Sequence, residues 1–456
     1  MTAAASTVAW TCPFCALLCD EYGLDDAAGR PALRGSTCPR AQAALDAHGA
    51  APGAVPGASP RVNGSDATWD EALQAAAERL GHWRQPLFAG LGTDVAGARA
   101  AYRLVERTGG ICDPAGGAAL VHGLRALQDR GQYTATLAEV RARADLVVCI
   151  GTTLVERYPE VFRRLGLDTT PSPCQALVFL DIEPPPGLPV RVPVQQAVGT
   201  GDLADDLQQL AGLVNGQHVR APAPALQALA NQLLGARYAV IVWEPGVLPP
   251  HGALIAEAIQ RIVATLNRRT RAATLALGGN DGAASVNQVF TWLSGLPVRT
   301  RHGAAGLEHD PLRFDAQRLL ADRAVDGLVW ISSFDPRSLP PAEAAGLPRI
   351  ILAPPAALAA LASGVAAPAE GDVFLPVATP GLNSAGHLFR TDGIVVVPLE
   401  AVRDDGLRSV AQVLSAIDAR LGSPSSAASG GPPEGSVRML PATGTASSSH
   451  SVGARP

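Results

Sequence analysis

The chain has 456 residues, more than a single hydrophobic core normally serves, so two to four domains are expected. Its 47% hydrophobic and 17% charged residues are typical of globular proteins, and a net charge of −5 without a basic cluster argues against nucleic acid as a partner. The sequence contains no lysine, which excludes Schiff-base chemistry and the phosphate-loop lysine.

The N-terminal segment lacks the basic and apolar regions of a signal peptide, and no later apolar run reaches about 18 residues. We therefore expect a cytoplasmic protein with no membrane partner. Seven cysteines in a reducing compartment are poor evidence for disulfides, so their spacing is more informative than their number.

Residues 1–60 are predicted to form a small cysteine module that ends in an Ala/Pro/Gly linker. Cys12, Cys15, Cys19 and Cys38 follow a C-x2-C-x3-C-x18-C pattern, which suits a 4Fe-4S cluster or another soft-metal site. Structural zinc is an alternative, although zinc sites more often pair two C-x2-C units. Unliganded thiols are the third interpretation of the pattern.

The next segment alternates predicted helices and strands. Thr68 and Glu71 have the spacing of a capping box, which predicts a helix to about Leu80. Buried strands are predicted at 86–92, 144–151 and 177–181, with a helix at 95–108. This order predicts an α/β fold of parallel sheets flanked by helices.

A Pro-rich run near residue 185 separates these elements from a second series. Its strands are predicted at 238–243, 274–277, 327–331, 349–352 and 373–376, with an amphipathic helix at 249–268. The predicted domains are accordingly a first α/β domain at 61–200 and a second α/β region at 201–421 that returns to the first. Ser, Gly, Pro and Ala dominate 422–456, which predicts a disordered tail.

Several segments together resemble one family. They are the N-terminal cysteines, Trp69–Leu73, 144–152, 278–297 and 374–393. The resemblance is to the B subunits of formylmethanofuran dehydrogenases and of bacterial formyltransferase/hydrolase complexes, within the molybdopterin oxidoreductase superfamily. It implies a multidomain α/β fold without a C-terminal barrel, and the A, C and D subunits of the same complex as partners in tetrahydromethanopterin-linked one-carbon metabolism.

The same resemblance implies a molybdopterin or tungstopterin between the α/β domains. The residues that it assigns to cofactor binding are Gly278, Gly279, Asn280, Asn287, Arg390 and Asp392. Each also has a simpler interpretation, because glycines and asparagines form turns and caps, and an Arg–Asp pair is often a surface feature. The Gly90-Leu-Gly92 turn likewise suits either phosphate binding or a plain tight turn.

One position departs from the family pattern. When His122-Gly123 is aligned with the family's Cys-His-Gly element, Val121 occupies the position of the metal ligand, and an isopropyl group cannot coordinate a metal. Cys112 lies nine residues upstream, too far to substitute. We therefore favour a non-redox scaffold over the alternative, a redox-active dehydrogenase subunit with a pterin and a 4Fe-4S cluster.

Overall fold

A computed structural model describes residues 8–25, 31–49, 59–249, 251–363 and 370–421. The predicted tail at 422–456 lies outside the described residues. The strands in the described ranges, numbered in chain order, are β1 (Val8–Trp10), β2 (Tyr22–Asp25), β3 (Ala32–Arg34), β4 (Arg61–Val62), β5 (Ser65–Asp66), β6 (Pro86–Gly92), β7 (Ile111–Pro114), β8 (Leu146–Ile150), β9 (Ala176–Leu180), β10 (Val194–Ala197), β11 (Tyr238–Trp243), β12 (Arg271–Ala276), β13 (Thr300–Gly303), β14 (Gly306–His309), β15 (Gly327–Ser332), β16 (Arg349–Ala353), β17 (Val373–Pro376), β18 (Gly386–Phe389) and β19 (Val396–Leu399).

The α-helices of the same ranges join these strands or cover the sheets. They are α1 (Pro39–His48), α2 (Trp69–His82), α3 (Val95–Thr108), α4 (Gly117–Arg130), α5 (Leu137–Arg143), α6 (Val161–Arg164), α7 (Leu203–Val214), α8 (Pro224–Gly235), α9 (Gly252–Leu266), α10 (Ala283–Ser294), α11 (Ala316–Ala321), α12 (Ala357–Ser363) and α13 (Val410–Arg420). Short 3-10 turns follow β11 and β12 and precede β16. No helix in the described ranges is both long and apolar enough to cross a membrane.

The larger sheet has nine strands in the order β14-β13-β7-β6-β15-β16-β17-β4-β5. Its centre, from β7 to β17, is parallel, and the short outer strands at both edges are antiparallel. Helices α2, α3, α10 and α13 contribute buried residues to the core on one face, and α11 and α12 to the core on the other. The central strands are buried on both faces, as expected of a parallel sheet covered by helices.

The smaller sheet has five parallel strands in the order β10-β9-β8-β11-β12. Its strands are consecutive in the chain, from residue 146 to 276, between the two chain segments that build the larger sheet. The predicted α/β class with parallel sheets is confirmed. The strands, however, do not separate at residue 200, since β8 pairs with β11, in the same sheet as β9 and β12, rather than with β6. The predicted domain limits remain a prediction.

The helices predicted from local sequence signals are present in the structure, with small differences in their ends. Thr68 and Glu71 form a capping box at the start of α2, in which each side chain bonds the other residue's backbone N–H. The helix continues to His82, two residues beyond the predicted end. The predicted helix at 95–108 is α3, whereas the helix predicted at 249–268 is the shorter α9.

Different structural elements pack against the two faces of the five-stranded sheet. Helices α7, α8 and α9 pack on one face. The other face shares its core with the N-terminal module, whose Trp10 and Phe14 lie in the same cluster as Val240 and Leu275 of the sheet. The cysteine module is therefore built into the α/β core rather than attached beside it.

Candidate metal centre

The first three cysteines lie in the loop between β1 and β2. This loop folds back on itself, because the backbone N–H of Cys12 donates to the carbonyl of Cys19 (2.9 Å) and that of Leu18 donates to Cys15 (3.1 Å). Leu18 adopts a positive φ of 44°, which closes the turn. Cys38 is the N-cap of α1, with Pro39 as the first helical residue. The helix dipole at this end favours a negatively charged sulfur.

The four cysteine side chains line one small cavity. All four are buried, and the cavity has a volume of about 10 Å³, about the room that a single water molecule needs. Phe14, Tyr22, Arg40 and Glu160 complete much of the wall. Within the described part of the chain, no three His, Cys, Asp or Glu side chains already stand in an arrangement that would hold a metal ion.

Polar groups close to the four sulfurs lower the pKa of each thiol. They are the backbone N–H groups of Phe14 for Cys12 and of Leu17 for Cys15, those of Arg40 and Ala41 for Cys38, and the Tyr22 hydroxyl for Cys19. Such groups favour thiolates, the form that binds metals.

Burial acts against these groups. It raises the pKa of Cys15 to about 12 and raises the pKa of Cys12, Cys19 and Cys38 as well. The thiols are therefore protonated at neutral pH when nothing is bound. A metal would have to displace these protons, so its affinity would increase with pH.

The loop that follows β12 contacts the cysteine loop directly. The Asn280 side-chain oxygen accepts the backbone N–H of Ala16 at 2.8 Å, between Cys15 and Cys19. Asp281 lies 3.9 Å from the Arg40 guanidinium. At Gly279, with a φ of 76°, a Cβ would lie 2.4 Å from the side chain of Ala284, so the turn requires glycine for packing reasons alone.

The segment from β18 onward holds the other side of the same loop. The backbone N–H of Thr391 donates to the carbonyl of Ala16 (2.8 Å), and the Thr391 hydroxyl accepts the N–H of Gly278 (3.2 Å). The flanking Arg390 and Asp392 form a buried ion pair at 2.7 Å. Asp392 also accepts the N–H of Leu137 at the start of α5.

The six residues predicted to bind a cofactor therefore divide into two groups. Five of them lie in the two segments that hold the cysteine loop, namely Gly278, Gly279, Asn280, Arg390 and Asp392. Asn287 lies apart on α10, where its side-chain oxygen accepts the N–H of Val298 at 3.3 Å. Their role in cofactor binding remains a prediction.

Val121 and His122 lie in the second turn of α4. Val121 is buried, and the His122 ring lies against the first residue of α9, since a Cβ at Gly252 would be 2.9 Å from it. Burial, followed by the neighbouring Arg299 and Arg125, lowers the pKa of His122, so the ring is neutral at physiological pH.

The three cysteines outside the module are packed into protein cores. The Cys112 thiol donates to the carbonyl of Thr300 at 3.4 Å, on the larger sheet. Cys149 and Cys174 lie in the core beneath the five-stranded sheet. All seven cysteines of the chain are within the described residues, and none belongs to α4.

Sequence reasoning missed a group of residues around the cysteine cavity. Tyr22, Glu160 and Arg163 contact the module through hydrogen bonds and line or flank the cavity. Glu160 and Arg163 follow Cys38 by more than 100 residues. No spacing rule connects them to the cysteines, and charged residues around an apolar pair, as at 160–164, are also typical of an ordinary short helix.

No protein-family model matches the chain. Among curated proteins, it is 32% identical over 281 residues to the B subunit of the formyltransferase/hydrolase complex Fhc of Methylorubrum extorquens, a match that covers 60% of this chain and 74% of that relative. The chain belongs to this B-subunit family. The resemblance seen in the sequence is thereby confirmed.

Solved structures agree with this assignment. The crystal structure of the FhcABCD complex of Methylorubrum extorquens with methylofuran matches with a TM-score of 0.69 and 30% identity, over 80% of this chain and 98% of the matched one. The B subunit of the tungsten-containing formylmethanofuran dehydrogenase 2 of Methanocaldococcus jannaschii is more distant, at 25% identity over 88% of this chain and 96% of that relative. The B-subunit family thus includes relatives named for a tungsten enzyme.

Proposed function

We propose that this chain is the B subunit of a formyltransferase/hydrolase complex and that it works as a non-redox scaffold. Its partners would be the A, C and D subunits, in cytoplasmic, tetrahydromethanopterin-linked oxidation of formaldehyde to formate. The chain's relatives support the assembly, because the matched structure is that of a complex with four subunits. In this proposal, the reactions on the furan-bound formyl group belong to the partner subunits.

The placement of the seven cysteines is the observation that carries the scaffold proposal. Four line the N-terminal cavity, and the other three are buried in packed cores, none of them on α4. At Val121, where the family alignment places the metal ligand, the side chain is an isopropyl group. This part of the chain therefore offers no sulfur donor to a pterin-held metal.

The residues assigned to the pterin by resemblance do not fit that role well either. The side-chain oxygens of Asn280 and Asn287 already accept backbone N–H groups, and Arg390 is paired with Asp392. Each side chain would have to give up a protein contact to reach a ligand. We accordingly derive no step through a pterin.

The four N-terminal cysteines support a metal centre of a structural kind. Their side chains line one cavity, and four thiolates are a ligand set that suits a 4Fe-4S cluster. A bound cluster would supply electron transfer in a redox-active subunit. The intact cysteine set is therefore also the observation that favours the alternative function, a redox-active formylmethanofuran dehydrogenase subunit.

Metal analysis separates the two functions. The complex would be purified without oxygen and analysed by mass spectrometry for metals, together with acid-labile sulfide. About four iron atoms per chain with no tungsten or molybdenum is the expected result. Stoichiometric tungsten or molybdenum would contradict the scaffold proposal. A content of about one zinc per chain and no iron would show that the four cysteines form a structural zinc site instead of a cluster site.

A pair of variants makes the assignment specific to the site. Replacing both Cys12 and Cys15 by alanine is expected to remove the iron. Replacing Cys112, which is equally buried but lies in the core of the larger sheet, should leave the iron content unchanged.

A further inference from the structure

The four cysteines come from two parts of the module. Cys12, Cys15 and Cys19 share one folded loop, whereas Cys38 precedes α1 after a separation of 18 residues. Within the module, the Nε of Arg40 in α1 donates to the carbonyl of Phe14 in the loop at 2.6 Å. The segment at 160–164, which includes α6, reaches both parts.

One set of contacts connects this segment to Cys19. The Nη2 of Arg163 donates to the Tyr22 hydroxyl oxygen at 3.3 Å, and Tyr22 lines the same cavity as Cys19. The guanidinium carbon also lies 5.5 Å from the centre of the Tyr22 ring, a cation–π distance. Arg163 is further held by an ion pair with Glu21.

A second set of contacts connects the same arginine to Cys38. Its Nε donates to a carboxylate oxygen of Glu160 at 2.6 Å. The other Glu160 oxygen accepts the hydroxyl of Ser36 at 2.8 Å, and the Ser36 oxygen accepts the backbone N–H of Cys38 at 3.0 Å. A continuous chain of hydrogen bonds therefore runs from Tyr22, at the cavity wall beside Cys19, to the backbone of Cys38.

The charges in this chain of bonds are partly shielded from solvent. The Glu160 side chain is 15% exposed and that of Arg163 is 28% exposed, unlike most surface ion pairs. Charge-assisted hydrogen bonds in such places are stronger and more directional than exposed ones. An arginine suits the central position, because its fork of donors can serve Tyr22 and Glu160 at the same time.

We propose that Glu160 and Arg163 form a clasp that keeps Cys19 and Cys38 at the same cavity before a metal binds and draws the four sulfurs together. The inference rests on the proposed metal centre for its purpose, but the clasp itself is a property of the metal-free chain. Both members are positioning residues, since they act through Tyr22 and Ser36, and Glu160 also forms part of the cavity wall. Glu160 and Arg163 thereby extend the metal site to a distant part of the sequence.

The reactivity of the thiols in the metal-free full-length chain tests the clasp. Each cysteine is labelled with a thiol reagent, and the rates are resolved by mass spectrometry. In Arg163→Gln and in Glu160→Ala, labelling of Cys19 and Cys38 is expected to be at least about tenfold faster than in the wild type, because local opening exposes them. Arg143→Gln, which removes an exposed arginine from α5, is the matched control and should leave the rates unchanged.

Two results would overturn the clasp. The first is unchanged labelling of Cys19 and Cys38 in both variants. The second is an equal acceleration at Cys112, since that cysteine lies in the separate core of the larger sheet and would report general destabilisation. Acceleration restricted to the module is the supporting result.

Binding of Co²⁺, whose absorption spectrum identifies thiolate ligands, tests the purpose of the clasp. The wild-type chain is expected to bind one Co²⁺ with a four-thiolate spectrum, and the clasp variants to bind it with a dissociation constant about tenfold to a hundredfold larger. Equal affinity in wild type and variants would refute the positioning role. A wild-type chain that binds no Co²⁺ but shows the labelling result would refute the metal centre and leave the clasp intact.

Discussion

The imidazole of His48, the last residue of α1, joins the cysteine module to the larger sheet. Its Nε2 lies 2.9 Å from the carbonyl oxygen of Phe334, which follows β15, and its ring stacks on Phe14 at 5.6 Å between ring centres. Because a carbonyl only accepts, the ring must carry a proton on Nε2. Burial lowers the pKa of His48 to about 4, so the folded chain holds the neutral ring.

This histidine predicts acid sensitivity of the fold. Its pKa is lower in the folded chain than the ordinary 6.5, so its stabilising contribution is complete above pH 6.5 and is lost as the pH falls towards 4. The loss would be on the order of 3 kcal/mol of unfolding free energy. Chemical denaturation between pH 7 and 4 should show this loss in the wild type and a smaller one in His48→Gln. Equal pH dependence in the two proteins would contradict the assignment.

At the scale of elements, two segments hold the cysteine loop from opposite sides. The loop after β12 contacts it through Asn280, and the segment after β18 contacts it through Thr391. Both segments meet the loop at the backbone of Ala16, which donates to one and accepts from the other. The geometry of the cysteine loop therefore depends on both segments being in place.

Removing one of these contacts should loosen the loop. Asn280→Ala deletes the acceptor of a partly buried N–H and is expected to lower the unfolding free energy by about 1 kcal/mol. It should also speed the release of bound metal to a chelator. Asn280→Asp, which keeps an oxygen acceptor, should retain more of the stability.

A matched control separates the loop from general stability. Asn287 lies on α10, away from the cysteines, and its side chain makes a similar bond to the backbone of Val298. Asn287→Ala removes that bond. It should lower stability by a comparable amount without changing metal release. If the two alanine variants release metal at the same rate, the link between Asn280 and the cysteine loop is refuted.

Helices and strands that are determined by short stretches of sequence could be predicted from the sequence. The Thr68 capping box fixed the start of α2, and continuous apolar runs located β6 and β11. Strand partnership was not predictable in the same way, because β8 and β15 are both apolar runs and nothing local states which sheet each joins. The cysteine pattern identified four candidate ligands, but Glu160 and Arg163 reach them only through the tertiary fold.

At the scale of the whole molecule, the module contributes to a core that also belongs to the five-stranded sheet. Trp10 donates its indole N–H to the carbonyl of Gly381 at 2.5 Å, so the module is also tied to the segment between β17 and β18. Anything that stabilises the module should therefore stabilise the sheets that it contacts. Metal binding is expected to act on the entire unfolding transition rather than on the N-terminal module alone.

Metal removal tests this coupling. Ligands that bind only the folded state raise its stability, so stripping the metal with a chelator should lower the melting temperature by about 5 °C or more. The fall should be seen in the main calorimetric transition and should be absent in the variant that lacks Cys12 and Cys15. A separate, small, low-temperature transition that alone responds to the chelator would show that the module unfolds independently.

The order in which the two sheets draw on the chain has a consequence for synthesis on the ribosome. The five-stranded sheet is complete once residue 276 has emerged, whereas β6 waits for its neighbour β15, which ends at Ser332. From the end of β6 to the end of β15, about 240 residues later, the β15 side of β6 lacks its hydrogen-bonding partner. The nascent chain therefore exposes an unpaired, aggregation-prone strand edge during this time, which makes it a client for chaperones that bind nascent chains.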